Sequence, residues 1–210
     1  LLLGVRRDFA EADVAERKNQ GDLRSHDFLI SALTDARPGD AVLSEEGVDG
    51  PARLAAERVW IVDPLDGTRE FSEPGRTDWA VHVALWTAGE LTAGAVALPA
   101  RGVTPTTPSQ PRPPVRGGPP RIVRSRTRPP AVALAVRDAL GGELVEMGSA
   151  GAKVAAVVQG RAEVYVHAGG QYEWDSAAPV AVARAAGLRT SRIDGSPLRY
   201  NRPDPYLPDL

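Results

Sequence analysis

The chain has 210 residues, 42% hydrophobic and 25% charged, with a formal net charge of −2. This describes a globular protein with a sizeable core, in one large domain or two small ones, and it lacks the basic field that polymeric nucleic acid requires. Cysteine is absent, so disulfides and thiolate metal sites are excluded, and only His26, His82 and His167 remain, which disfavours zinc. No apolar run approaches the ~20 residues of a membrane span. Leu1-Leu2-Leu3 is too short for a signal peptide and lacks a basic start, so a cytoplasmic protein is the default expectation. The chain opens in mid-apolar pattern without Met and stops at Leu210 just after an apparent turn, so further residues are expected at each end.

In chain order, Leu2, Val5, Phe9, Ala12 and Ala15 stand near helical spacing and predict a packing helix over residues 1–17. Lys18-Asn19-Gln20-Gly21 reads as a break. Asp22 reads as the N-cap of a second helix, with Phe28, Leu29 and Leu33 as its apolar stripe. Ala41-Val42-Leu43 predicts a short strand running into Ser44-Glu45-Glu46-Gly47. Adjacent glutamates are usually solvated charge. Here they end an apolar strand, and strand ends in a twisted α/β sheet converge on one crevice.

The stretch Trp60-Ile61-Val62-Asp63-Pro64-Leu65-Asp66-Gly67-Thr68-Arg69-Glu70-Phe71 is the most informative in the chain. An apolar strand ends in two carboxylates three residues apart. Gly67 supplies the left-handed conformation of a tight turn, and Thr68 reads as a helix N-cap with Glu70 in the first turn. Oxygen ligands of this kind suit Mg²⁺, and the amides of a helix start suit an anion.

Residues 79–86 and 91–98 alternate as two strands joined at Ala88-Gly89-Glu90, with His82 read as a structural residue on a strand face. Residues 99–120, rich in proline, form a flexible or extended connector. Strand character resumes at 121–125, and Pro129-Pro130 opens a helix that Gly141-Gly142 stops. Residues 144–147 are a strand running into Gly148-Ser149, which opens a helix over 151–159 carrying Lys153. That start is anion-friendly, although an ordinary capped helix explains the segment equally well by itself. A strand follows at 162–167. Glu173-Trp174-Asp175 then leads into a helix ending at Gly187, with Asp175 in N-cap pattern. The alternation predicts an α/β fold with layered packing and no internal repeat. An N-terminal lobe (1–98) and a C-terminal lobe (121–210), joined by the connector, make one catalytic unit with the site between them.

Four carboxylate stations thus lie at predicted strand-to-helix junctions: Asp22, Glu45, Asp63 with Asp66, and Asp175. Together they match a site for two or three Mg²⁺ ions, which take oxygen ligands near 2.1 Å. Two such ions about 4 Å apart clamp the attacking and leaving oxygens of a phosphoryl transfer. A non-catalytic module holding a structural cation is the alternative from a different class; it leaves Thr68 and Glu45 without a purpose.

Three blocks, Trp60 to Phe71, Ser44-Glu45-Glu46 and Trp174-Asp175-Ser176-Ala177-Ala178-Pro179, resemble in order and spacing the signature blocks of the inositol monophosphatase superfamily. Arg69-Glu70-Phe71 after Asp-Gly-Thr, and Glu173 before Trp174-Asp175, resemble its CysQ-type 3'(2'),5'-bisphosphate nucleotidases. So does Asp22 followed by His26, although Gly21 stands where those enzymes have Ala. The resemblance implies a layered α-β-α-β-α sandwich and a lithium-sensitive, Mg²⁺-dependent phosphomonoesterase. Its expected substrate is a small phosphate ester, 3'-phosphoadenosine 5'-phosphate, a product of activated-sulfate use; inositol phosphate and fructose bisphosphate are the competing substrates. The resemblance also implies roles for single residues. Glu45, Asp63 and the Leu65 carbonyl hold one Mg²⁺; Asp63, Asp66 and Asp175 hold a second; Asp22 supports a third. Thr68 with Glu45 orients and deprotonates the attacking water, with Asp22 beside them. Gly67 and Thr68 bind the scissile phosphate, with Asp66 and Asp175 alongside. Ser149 and Lys153 grip the nucleotide and its other phosphate. The resemblance is also compatible with a homodimer, a state that family members often adopt.

Overall fold

The computed structural model describes residues 1–114 and 116–210. Two sheets form its frame. In the first, β1 (Ala41–Ser44), β2 (Arg58–Asp66), β3 (Ala80–Thr87) and β4 (Glu90–Ala97) lie side by side in sequence order. The β1–β2 pair is parallel, joined through a 3₁₀ turn at Pro51–Ala55, and β2, β3 and β4 form an antiparallel meander. The β3–β4 turn puts both Ala88 and Gly89 at positive φ, the backbone that matches the twist of a tight hairpin. The second sheet is parallel throughout, in the order β6 (Glu143–Met147), β5 (Arg121–Ser125), β7 (Val164–Tyr165).

Helices fill the faces of these sheets. α1 (Leu2–Asp8), α2 (Val14–Ala36) and the short α3 (Thr68–Ser72) cover one face of the first sheet, where Leu2, Val5, Leu65, Phe71 and Trp79 form a core. α5 (Ala150–Val158) and α6 (Glu173–Ala185) cover its other face, packing Ala152, Ala155, Ala178 and Val182 against Val59, Ile61, Ala84 and Val96. On the second sheet, Val157 of α5 packs against Val123, and Ala133 of α4 (Ala131–Leu140) against Ile122. The result is the five-layered α-β-α-β-α arrangement. β2 is buried on both faces from Ile61 onward, which explains its continuous apolar run.

Several expectations are corrected. Lys18 to Gly21 does not break a helix: α2 runs unbroken from Val14 to Ala36 with Asp13 as its N-cap, accepting from the Glu16 amide. Gly21 is there for close packing, since a Cβ would lie 2.7 Å from both Leu65 and Phe71 side chains. Asp22 therefore sits inside a helix rather than at its cap, and Phe28, expected in a buried stripe, is 60% exposed. Thr68 is the first helical residue; the cap is Gly67 at φ 83. Asp175 is likewise the third residue of α6, not its cap. Residues 99–107 do not float as a linker. Leu98 pairs with Val103 and Ala95 with Thr106, extending the edge of the first sheet.

Candidate active site

Asp63 and Asp66 are both part of β2, not beyond its end, and the pairing with β3 is irregular between them. Asp63 Oδ1 accepts the Leu65 amide at 3.0 Å, turning the backbone so that the Leu65 carbonyl in turn accepts from Thr68 Oγ1 at 3.0 Å. Thr68 Oγ1 also reaches Asp22 Oδ1 at 3.3 Å, which brings the middle of α2 to the start of α3. Glu45 follows β1, its amide donating to the Val62 carbonyl at 3.2 Å, and its carboxyl interacts electrostatically with Asp63, Asp66 and Asp175. Asp175 Oδ2 accepts the Tyr172 amide at 2.7 Å, so it serves the start of α6 from within the first turn. The five predicted carboxylates and Thr68 thus surround one region. Asp66, Gly67, Thr68, Ser149, Lys153 and Asp175 line a cleft of about 500 Å³ there. A cavity of similar size, about 520 Å³, lies between α4, α5 and the C-terminal segment, is mostly lined by apolar side chains and lacks converging carboxylates.

The electrostatics are those of crowded, desolvated acids. Burial, then Asp66, pushes Asp63 well above the usual carboxylate range. Burial and Asp175 push Glu45 up to about 7; burial and Asp66 push Asp175 up to about 6; burial and Glu46 push Asp22 up to about 7. Asp66 is the exception. Burial presses it upward too, but His82, Lys153 and the Ser149 hydroxyl bring it down to about 2. Its oxygens accept from Ser149 Oγ at 2.6 Å, from the Gly151 amide at 2.6 Å and from the Ala150 amide at 3.1 Å. The anion-friendly start of α5 is therefore occupied by the protein's own carboxylate. A hard divalent cation fits this donor set: the acids are crowded together, Asp63 and Asp66 are buried, and positive charge among them would offset their repulsion.

Ser149 and Lys153 line the cleft, but their polar atoms are committed elsewhere. Lys153 is 4% exposed, donates to the Gly148 carbonyl and lies over the Tyr165 ring; burial holds its ammonium below the usual lysine range.

His82, read from sequence as merely structural, is fully buried against the acids. It pairs with Asp63 across β2 and β3, and its Nε2 lies 3.1 Å from Asp66 Oδ2 while Nδ1 faces the Trp174 carbonyl at 3.1 Å. One oxygen from each of Asp63 and Asp66 and one ring nitrogen fall within 4.8 Å of one another. Burial lowers the affinity of the ring for a proton, yet Asp66 and the Trp174 carbonyl together raise it overall. Nδ1 faces the Trp174 carbonyl, while Nε2 lies beside Asp66 Oδ2 without an aligned hydrogen bond, so the ring packs against Asp66 and helps to orient it. Alternation in β3 places His82 on the buried face, a signal available in the sequence; its pairing with Asp63 was not. Arg126 is the second omission. It donates at 2.6 Å to both Glu70 and Glu73, tying α3 to the second sheet.

The inositol monophosphatase family matches residues 11–208. The chain is 54% identical to a 3'-phosphoadenosine 5'-phosphate phosphatase of Mycobacterium bovis, an alignment covering 100% of this chain and 82% of the relative. It is 31% identical to the 3'(2'),5'-bisphosphate nucleotidase CysQ of Escherichia coli, over 89% of this chain and 80% of that one. Among solved structures, CysQ of Bacteroides thetaiotaomicron superposes with a TM-score of 0.75 at 27% identity, covering 88% of this chain and 79% of that one. Inositol monophosphatase II of Staphylococcus aureus shares the fold, with a TM-score of 0.79 at 21% identity over 95% of this chain and 79% of its own. With a family match over residues 11–208 and a relative 54% identical over the full length of this chain, the chain belongs to the inositol monophosphatase family.

Proposed function

We propose that the protein is a Mg²⁺-dependent phosphomonoesterase that removes the 3'-phosphate of 3'-phosphoadenosine 5'-phosphate to leave AMP, working in the cytoplasm. The observation that carries the chemistry is the convergence of four mutually repelling oxygen donors, Glu45, Asp63, Asp66 and Asp175, with Asp63 and Asp66 buried and Asp66 and Asp175 lining the cleft. The substrate is supported by the relatives named for it, at 54% identity over the full length of this chain.

The residues would divide the work as follows. Glu45, Asp63 and the Leu65 carbonyl hold one Mg²⁺, and Asp63, Asp66 and Asp175 a second, with Asp22 supporting a third. When bound, Mg²⁺ supplies the charge that offsets these acids and makes a coordinated water more acidic. Thr68 is held by the Leu65 carbonyl and Asp22, so its hydroxyl is fixed where it can orient the attacking water. Glu45 takes the proton of that water. Gly67 and Thr68 amides receive the phosphate being cut. His82 keeps Asp66 ionised and aimed, and the start of α5 holds it from the other side.

Phosphate release from 3'-phosphoadenosine 5'-phosphate, inositol monophosphate and fructose bisphosphate, each with Mg²⁺, tests the reading. The nucleotide should turn over well ahead of the others, and Li⁺ should inhibit. Comparable turnover of inositol monophosphate would remove the nucleotidase assignment while leaving the chemistry.

A further inference from the structure

Glu45 and Asp175 sit on segments with no strand pairing in common: the loop after β1 and the first turn of α6. A polar chain, buried at Arg53, Asn201 and Glu173, joins those segments. Asp49, four residues beyond Glu45, receives Arg53 Nε at 2.6 Å and Nη2 at 2.9 Å. Arg53, 3% exposed, also donates Nη1 to Asn201 Oδ1 at 2.8 Å and Nη2 to the Arg202 carbonyl at 2.9 Å. Asn201 Nδ2 donates back to the Arg53 carbonyl at 3.4 Å. The amides of Asn201 and Arg202, at 2.7 and 2.8 Å, then meet the two oxygens of Glu173, two residues before Asp175. Asn201 adopts φ 58, a left-handed backbone that asparagine tolerates better than most residues.

Burying an arginine and a glutamate is expensive, and well-packed apolar side chains often do as well or better for stability alone. A fully satisfied polar chain offers something else, a fixed and directional link between the groups at its ends. None of Arg53, Asn201 and Glu173 lines the cleft, so they do not act on substrate. We infer that Arg53 and Asn201 are positioning residues that set the spacing of Glu45 and Asp175 and thereby the affinity of the cleft for Mg²⁺. The inference rests on the proposed reading of those two carboxylates as ligands.

The test is Mg²⁺ titration calorimetry on the full chain, alongside thermal melting without metal. Asn201→Gly keeps the left-handed backbone and the backbone contacts to Glu173 and Arg53 but removes both side-chain bonds between Asn201 and Arg53, and it should weaken Mg²⁺ binding about tenfold or more. Asn201→Asp keeps the acceptor for Arg53 and should recover most of the loss. Ile122→Ala, in the core of the second sheet, should lower the melting temperature without moving the Mg²⁺ affinity. Wild-type affinity in Asn201→Gly would overturn the inference, as would an equal loss in Ile122→Ala at matched melting temperature. If Asn201→Gly does not fold, Arg53→Lys is titrated in its place, and unchanged affinity there overturns it equally. Wild-type protein that takes up no Mg²⁺, or Asp63→Asn that binds it as tightly as wild type, would instead bring down the reading of the carboxylates themselves.

Discussion

Thr68 has one hydroxyl proton and two acceptors within reach, the Leu65 carbonyl and Asp22. Replacing it with valine keeps the volume and removes the hydroxyl. On the proposed reading, kcat falls on the order of 10²-fold or more, as for loss of a group that assists proton transfer. The melting curve should change by only about 1 kcal/mol, the worth of a typical hydrogen bond. Unchanged kcat in Thr68→Val would remove Thr68 from the chemistry. Asp66 offers a complementary case, because its oxygens already accept from three groups at the start of α5. Asn in its place retains much of that bonding, so Asp66→Asn should lose turnover while circular dichroism shows an intact fold.

At the scale of elements, the start of α5 and strand β3 meet tightly around Asp66. A Cβ on Gly151 would run into the His82 ring at its Nε2. Gly151→Ala should therefore cost about 1–3 kcal/mol by overpacking, measured by urea denaturation, and displace His82 from Asp66 with a loss of activity. A variant as stable and active as wild type would show that the two elements can move apart. This scale also shows what sequence could and could not reveal. β2, β3 and β4 were legible because each alternates or runs apolar between clear turn residues, and the Asp-Pro-Leu-Asp-Gly-Thr stretch carries its turn chemistry in the residues themselves. The long α2 was not. Gly21 looks like a breaker in one dimension, and only the closeness of Leu65 and Phe71 explains why a helix would keep it. Asp22 shows the same limit: its pattern is that of a cap, because the chain alone does not show which face of a helix meets a strand end. His82 depends on partners 16 and 92 residues away and Arg53 on partners 148 and 149 residues away, and periodicity cannot report such pairings.

At the scale of the whole molecule, the core of the first sheet is built from both halves of the chain, since α5 and α6 close the face that β1 to β4 leave open. One cooperative unit is expected. Tryptophan fluorescence, which reports mainly the first sheet through Trp60, Trp79 and Trp86, and far-ultraviolet circular dichroism should give coincident urea transitions. Separated transitions would mean that the second sheet melts independently. Mg²⁺ should stabilise this unit by relieving the crowded acids. At a hundred times its dissociation constant the gain is about 2.7 kcal/mol, or roughly 5–11 °C in melting temperature for a chain of this size. A chelator should reverse the shift, and a melting temperature indifferent to Mg²⁺ would speak against any cation among the carboxylates. The shared core has a further consequence for how the chain is made. β4 ends at Ala97, whereas the helix that covers it ends at Ala185. During synthesis at about 5–20 residues per second, the emerging first sheet waits on the order of 4–18 s with one apolar face open. For that interval the nascent protein depends on chaperone cover, and a ribosome stalled between the two elements would release a fragment prone to aggregate.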